Sequence, residues 1–194
     1  MKSRIIHSNG VPGHFGLMAP FYDRLITPQQ PDRLRGLLEL PVAGPLLDVG
    51  GGTGRVAQAL RGLADEVVVL DESAAMLHQA CLKGLPAARG LAERLPFSDG
   101  CFARILVVDA FHHFQDQQRA ALDLLRVLAP SGRLVIEEPN IERVAVRLMA
   151  LFEKLALMHS HFCRPLALRQ IFEAAGGTVR LVQQGTNFWA VVER

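Results

Sequence analysis

The sequence predicts an α/β domain whose sheet is mostly parallel and ends in an antiparallel hairpin. Short apolar runs alternate with helical patterns from about residue 45 onward, an order that sets parallel strands under covering helices. Residues 45–60 pass without a break from an apolar run, through four glycines in five residues, into an amphipathic stretch. Two strand-like segments, 179–183 and 187–192, are separated only by Gln184, Gly185 and Thr186, a link that requires a hairpin.

Taken in order, residues 1–44 precede the alternation and read as an N-terminal cap on the core formed by 45–194, with one helix expected at 32–40. Strands are expected at 45–49, 66–70, 87–90, 102–109 and 133–138, and helices at 54–63, 74–83, 117–128 and 141–159. Ser131-Gly132 stops one helix before a strand, and Gly176-Gly177 closes a shorter helix at 166–175. This gives seven strands, five parallel and two in the hairpin, within a single domain of 194 residues.

Composition narrows the function classes. Lys plus Arg number 21 against 19 Asp plus Glu, so a formal charge of +2 supplies no field for gathering nucleic acid or anionic lipid. Cys81, Cys101 and Cys163 are odd in number and lack CxxC spacing, which argues against a disulfide framework or zinc ribbon and for a reducing cytoplasm. The first residues are basic, but glycine, proline and histidine interrupt the apolar stretch that a signal peptide needs. Apolar runs such as 105–108 fall far short of the ~20 residues that span a bilayer. A soluble cytoplasmic protein without membrane insertion is expected.

The glycine turn carries the chemistry. Gly50, Gly52 and Gly54 permit positive φ and let a ligand approach the backbone, and the following helix offers unpaired N–H groups. A dinucleotide fold wants GxGxxG, but the third glycine position holds Arg55; the spacing here is GxGxG. A Walker A loop would need Gly-Lys-Ser/Thr where the chain has Gly54-Arg55-Val56. Asp48, two residues before the first glycine, would repel a pyrophosphate and suits a cationic or ammonium-bearing ligand.

Asp48-Val-Gly-Gly-Gly-Thr-Gly54 resembles the DxGxGxG motif of class I S-adenosylmethionine-dependent methyltransferases. Val68-Val-Leu-Asp-Glu-Ser-Ala-Ala-Met-Leu77 is similar to a stretch of their small-molecule branch, type 11, which includes ubiquinone- and menaquinone-biosynthesis enzymes. Ala92-Glu-Arg-Leu-Pro-Phe-Ser-Asp-Gly-Cys-Phe102, Val107-Val-Asp-Ala-Phe-His-His-Phe114 and Leu124-Leu-Arg-Val-Leu-Ala-Pro-Ser-Gly-Arg-Leu134 follow in the family's order. Two positions depart: Leu91 stands where members commonly carry Asp, and Ala103 where they commonly carry the Asp of Phe-Asp.

The resemblance implies a Rossmann-like seven-stranded sheet with helices on both faces and S-adenosylmethionine as cofactor. It implies roles for Asp71 and the neighbouring Glu72 at the ribose, for Gly50, Gly51, Gly52 and Gly54 along the methionine edge, and for Ala92 and Glu93 beside the adenine. Asp109, Ala110 and Phe111 would floor the site near the sulfonium, and Tyr22 would fold over the methionine end. The implied acceptor is a small molecule, a phenol, quinol or other lipophilic metabolite, rather than a nucleic acid. A non-catalytic S-adenosylmethionine-binding or regulatory module is the contrasting class.

Other residues hold open readings. His112 and His113 follow the fourth strand's carboxyl end, where open α/β sheets place their ligand crevice, so one of them is a candidate for proton transfer. His159, His161 and Cys163 form an HxHxC cluster without a fourth ligand, and the expectation is no metal. Glu137-Glu138 either touches the acceptor or caps the next segment. The apolar stretch 141–159 suits a helix over an oily pocket, a homodimer contact or plain core packing.

Overall fold

The computed structural model describes residues 31–143, 146 and 161–194. It contains helix α1 (Pro31–Leu37), strand β1 (Leu46–Val49), α2 (Arg55–Ala59), β2 (Val67–Asp71), α3 (Ala74–Leu82), β3 (Ala87–Arg89) and β4 (Phe102–Val108). A short 3₁₀ turn (Phe111–His113), α4 (Gln117–Val127), β5 (Leu128–Pro139), α5 (Pro165–Ala174), β6 (Thr178–Gln184) and β7 (Asn187–Glu193) complete the chain.

The strands form one sheet in the order β3-β2-β1-β4-β5-β7-β6. The five strands β1 to β5 pair in parallel, and β7 lies antiparallel between β5 and β6. Because parallel strands are covered on both sides, β1 reads as an unbroken buried run rather than an alternation. On one face Ala120, Leu124, Leu168 and Phe172 of α4 and α5 pack against Ile105, Val107, Leu134 and Ile136. On the other, Leu34, Val56, Ala57, Leu77 and Ala80 of α1, α2 and α3 pack against Leu46, Val69, Leu106 and Val135.

Most expected elements fall within a few residues of their places. The expected helix 54–63 is shorter at both ends: Gly54 takes a left-handed conformation, φ 72°, and serves as N-cap, and the helix stops at Ala59 because Leu60, at φ −96° and ψ 0°, leaves helical geometry. At β5 the break expected at Ser131-Gly132 is instead a bulge: Phe102 pairs with Leu128 and Arg104 with Arg133, so residues 129–132 loop out of a strand that has already begun. The expected helix 141–159 falls almost entirely outside the described residues, apart from a turn at 141–143 and Val146.

Candidate functional site

The glycine turn is anchored to the end of β2. Gly50 and Gly51 both donate their N–H to the Leu70 carbonyl, at 2.8 and 3.2 Å. Gly50 and Gly52 have φ of 69° and 56°. They serve different ends. A Cβ on Gly50 would lie 2.6 Å from the Ala110 Cβ, so that glycine lets the turn close against the loop after β4. A Cβ on Gly52 would meet only the Met76 sulfur, at 3.9 Å, so the space over it is open to a ligand.

Two carboxyl groups flank this turn. Asp71, at the carboxyl end of β2, accepts the Gly52 N–H at 2.9 Å and the Ser73 N–H at 2.8 Å. It therefore ties the turn to the N-cap of α3. Burial raises its pKa while those amides pull it back. Asp48 is fully buried, and neither of its oxygens makes a well-formed hydrogen bond, the Ala57 amide being a weak polar neighbour. Burial pushes its carboxyl up to about 7, with the Ala57 amide opposing and the Asp71 charge adding. Gly51 leaves room for it: a Cβ there would sit 2.7 Å from Asp48 Oδ2.

On the far side of β2, Glu72 is exposed and its carbonyl accepts Nε–H from Arg89 at 2.9 Å. Ala92 is buried and Leu91 half-exposed. The Glu93 carboxylate accepts the Gln115 and Asp116 amides at 2.8 and 3.2 Å, so its side chain braces the loop after β3 against the loop after β4.

At the end of β4 Asp109 adopts φ 50°, a left-handed conformation uncommon for a residue other than glycine. Burial and the charges of Glu138 and Glu137 push its carboxyl up to about 7, against opposing pulls from His112 and Arg55. Ala110 and Phe111 are buried beneath it. His112 Nδ1 lies 2.6 Å from Glu138 Oε2, both side chains being buried, while Glu138 Oε1 accepts the Phe111 N–H at 2.8 Å. One carboxyl group thus fixes both the turn and the imidazole.

The imidazole is held on other sides too. Phe162 stacks on it at 4.3 Å and 11°, and the His161 N–H donates to the His112 carbonyl at 2.6 Å. Gln117 Nε2 donates to the carbonyls of Phe111 and His161, and its Oε1 accepts from the Cys163 sulfur at 2.8 Å. Residues 161–164 therefore form a strap over the 3₁₀ turn. His113, 4.0 Å from His112 ring to ring, has its pKa pushed down to about 3 by burial and by that neighbour, so it is a weak base.

Tyr22 and His159 lie outside the described residues. Among the described residues no three His, Cys, Asp or Glu side chains are grouped to hold a metal, and no helix is long and apolar enough to cross a membrane. The structure brings Asp48, Gly50, Gly52, Asp71, Asp109 and His112 to the carboxyl edge of the sheet. Gln117, Phe162 and Asn187 join the site without a sequence signal of their own. Phe162 and Gln117 act through backbone carbonyls and ring stacking, which leave no motif.

Residues 47–136 match the family described as Methyltransferase domain. The matched stretch runs from β1 into β5. The chain is similar to demethylmenaquinone methyltransferases of Thermus thermophilus, 41% identical over 48% of the chain and 46% of the relative, and of Thermotoga maritima, 38% identical over 56% and 51%. It spans about half the length of these curated relatives. A SAM-dependent methyltransferase of Aquifex aeolicus shares the fold at TM-score 0.70 and 20% identity, over 90% of this chain and 97% of that one.

The Aquifex protein is by name dependent on S-adenosylmethionine. The residues present fit it. Open space lies over Gly52, a carboxylate stands beside it at Asp71, and the orphaned Asp48 carboxyl beneath the turn offers an acceptor toward a cationic ligand.

Proposed function

We propose that this chain transfers a methyl group from S-adenosylmethionine to a small-molecule acceptor bearing a hydroxyl, of the phenol or quinol class. The observation that carries the reading is the open cradle over Gly52 with Asp71 at its side. Asp71 would hold the ribose hydroxyls, Gly50, Gly51, Gly52 and Gly54 the methionine-proximal edge, and the Ala92 backbone the adenine. When bound, the cofactor supplies a methyl carbon made electrophilic by the neighbouring sulfonium.

The chain's own task is then alignment and exclusion of water. Asp109, Ala110 and Phe111 form the floor that separates the turn from β5, and the 161–164 strap covers the His112 side. Of the two histidines, His112 is the better candidate to accept a proton, because Glu138 fixes its Nδ1 and thereby its ring orientation. His113, weakened as a base, packs against it. The names of the Thermus and Thermotoga relatives support a quinone-class acceptor.

Calorimetric titration with S-adenosylhomocysteine, S-adenosylmethionine and NAD tests the cofactor. Micromolar binding of the first two and none of the third is expected. Transfer of a labelled methyl group to a panel of phenols and quinols tests the acceptor; cofactor binding without any transfer would leave a regulatory binding module as the better reading.

A further inference from the structure

Adjacent residues of a strand leave the sheet on opposite faces, so Glu137 points away from the His112 side that Glu138 serves. On its own face Glu137 is the cross-strand partner of Trp189, and Asn187 is the next β7 residue on that face. Asn187 Nδ2 donates to Glu137 Oε1 at 2.9 Å, which orients the carboxyl group. The other oxygen, Oε2, has no hydrogen-bond partner, and neither does the indole Nε1 of Trp189. The two residues are only 4% and 1% exposed. The Arg33 guanidinium lies over the Trp189 ring, 4.1 Å from its centroid, and pins the indole by its face while the N–H projects from the ring edge.

Buried polar groups are almost always hydrogen-bonded, and here an orphaned acceptor and an orphaned donor belong to residues paired across β5 and β7 on one face, so one partner can suit both. A hydroxyl does: its hydrogen goes to Glu137 Oε2 and its oxygen takes the Trp189 N–H. An ether or ketone lacks the hydrogen, and an ammonium lacks the lone pair. The pair also sits at the acceptor end of the sheet. The Asp109 N–H donates to the Glu137 carbonyl at 3.0 Å, and the next residue, Ala110, faces Gly50.

The geometry points to a hydroxyl-recognising subsite formed by Glu137 and Trp189, which fixes one hydroxyl group of the acceptor. It rests on the methyl-transfer reading above and narrows the acceptor to molecules that present a hydroxyl to the β5–β7 end of the site.

The chain has a single tryptophan, so its ¹H–¹⁵N spectrum contains one indole cross-peak, that of Trp189. Phenol and anisole, which differ by the hydroxyl hydrogen and a methyl, are titrated into the full chain saturated with S-adenosylhomocysteine. Phenol is expected to move the peak downfield and saturably, and anisole to leave it in place. In Glu137→Gln the Asn187 contact keeps the new carbonyl, leaving an NH₂ where Oε2 stood, and phenol affinity should fall at least tenfold. Trp189→Phe, read by calorimetry, should lose phenol affinity similarly, with S-adenosylhomocysteine affinity unchanged in both variants.

Equal responses to phenol and anisole, no response to either, or parent-like phenol binding by both variants would overturn the subsite and leave the pair to a trapped water. Absence of S-adenosylhomocysteine binding by the parent chain would overturn the methyl-transfer reading itself, and the subsite with it.

Discussion

Replacing Asp71 by alanine separates the cofactor-binding role of that carboxylate from its structural one. In the structure the carboxylate takes two backbone N–H groups, from Gly52 and Ser73. Each such bond contributes about 1 kcal/mol net, so losing both should cost roughly 2 kcal/mol of stability. For a chain of this size that lowers Tm by about 4–8 °C. Cofactor binding should suffer separately, by the charge-assisted bonds to two ribose hydroxyls, about 2–3 kcal/mol or a 30- to 150-fold rise in Kd. Calorimetry with S-adenosylhomocysteine reads the second effect and thermal unfolding the first. Asp71→Asn serves as the control, since it keeps one oxygen for an amide but removes the charge. A folded Asp71→Ala chain that bound S-adenosylhomocysteine within twofold of the parent would refute the ribose assignment, whatever its Tm.

Three further outcomes are expected. Gly52→Val should abolish cofactor binding by filling the open space over the turn and should destabilise by about 1–3 kcal/mol, because a β-branched residue is forced to positive φ; a folded variant with unchanged affinity would count against the turn as the binding site. Asp48 has a folded pKa raised from its unfolded value of 3.8 to about 7, so its contribution to stability is present below pH 4 and lost as pH rises through 7. Asp48→Asn should therefore gain on the parent between pH 4 and 7, by up to about 4 kcal/mol above pH 7; denaturant unfolding at pH 4.5 and 8 showing the same difference at both would contradict this. If His112 accepts the acceptor's proton, Glu138→Gln should lower kcat and move the acid limb of the pH–rate profile while leaving cofactor Kd unchanged; His113→Ala should have the smaller effect, and the opposite ranking would transfer the role to His113.

The parts of the site legible in the sequence are those made by consecutive residues. The glycine turn and Asp71 belong to this class: a strand must end, a ligand must approach backbone, and a carboxylate must stand at the end of the next strand, so residue type and spacing suffice. The hairpin is legible for a similar reason, since three linking residues leave one geometry. The pairing of His112 with Glu138 is not, because the partners are 26 residues apart and meet only through the parallel register that sets Val108 beside Glu137. Glu93 shows the converse. Its motif position suggests adenine, yet its carboxylate is drawn to two loop amides whose location no local pattern reveals. The β5 bulge was hidden because Ser131-Gly132 looks the same whether a helix ends there or a strand loops out.

The register of β5 also explains how one strand end serves two purposes. Glu137 and Glu138 sit next to each other, and a pleated strand sends them to opposite faces. Glu138 meets the 3₁₀ turn that β4 delivers, and both its oxygens are used there. Glu137 meets the antiparallel hairpin, where Asn187 uses one oxygen and leaves the other beside Trp189. Burial and these two carboxyl groups raise the pKa of Asp109, so this edge of the sheet gathers acidic groups around the paired imidazoles of His112 and His113. Such an edge disfavours anionic acceptors and suits neutral hydroxyls, which can donate to a carboxylate without bringing further negative charge into a buried place. A slip of β5 by one residue would exchange the faces of the two glutamates and break both arrangements at once. The sheet pairing that builds the core therefore also fixes the chemistry at its edge.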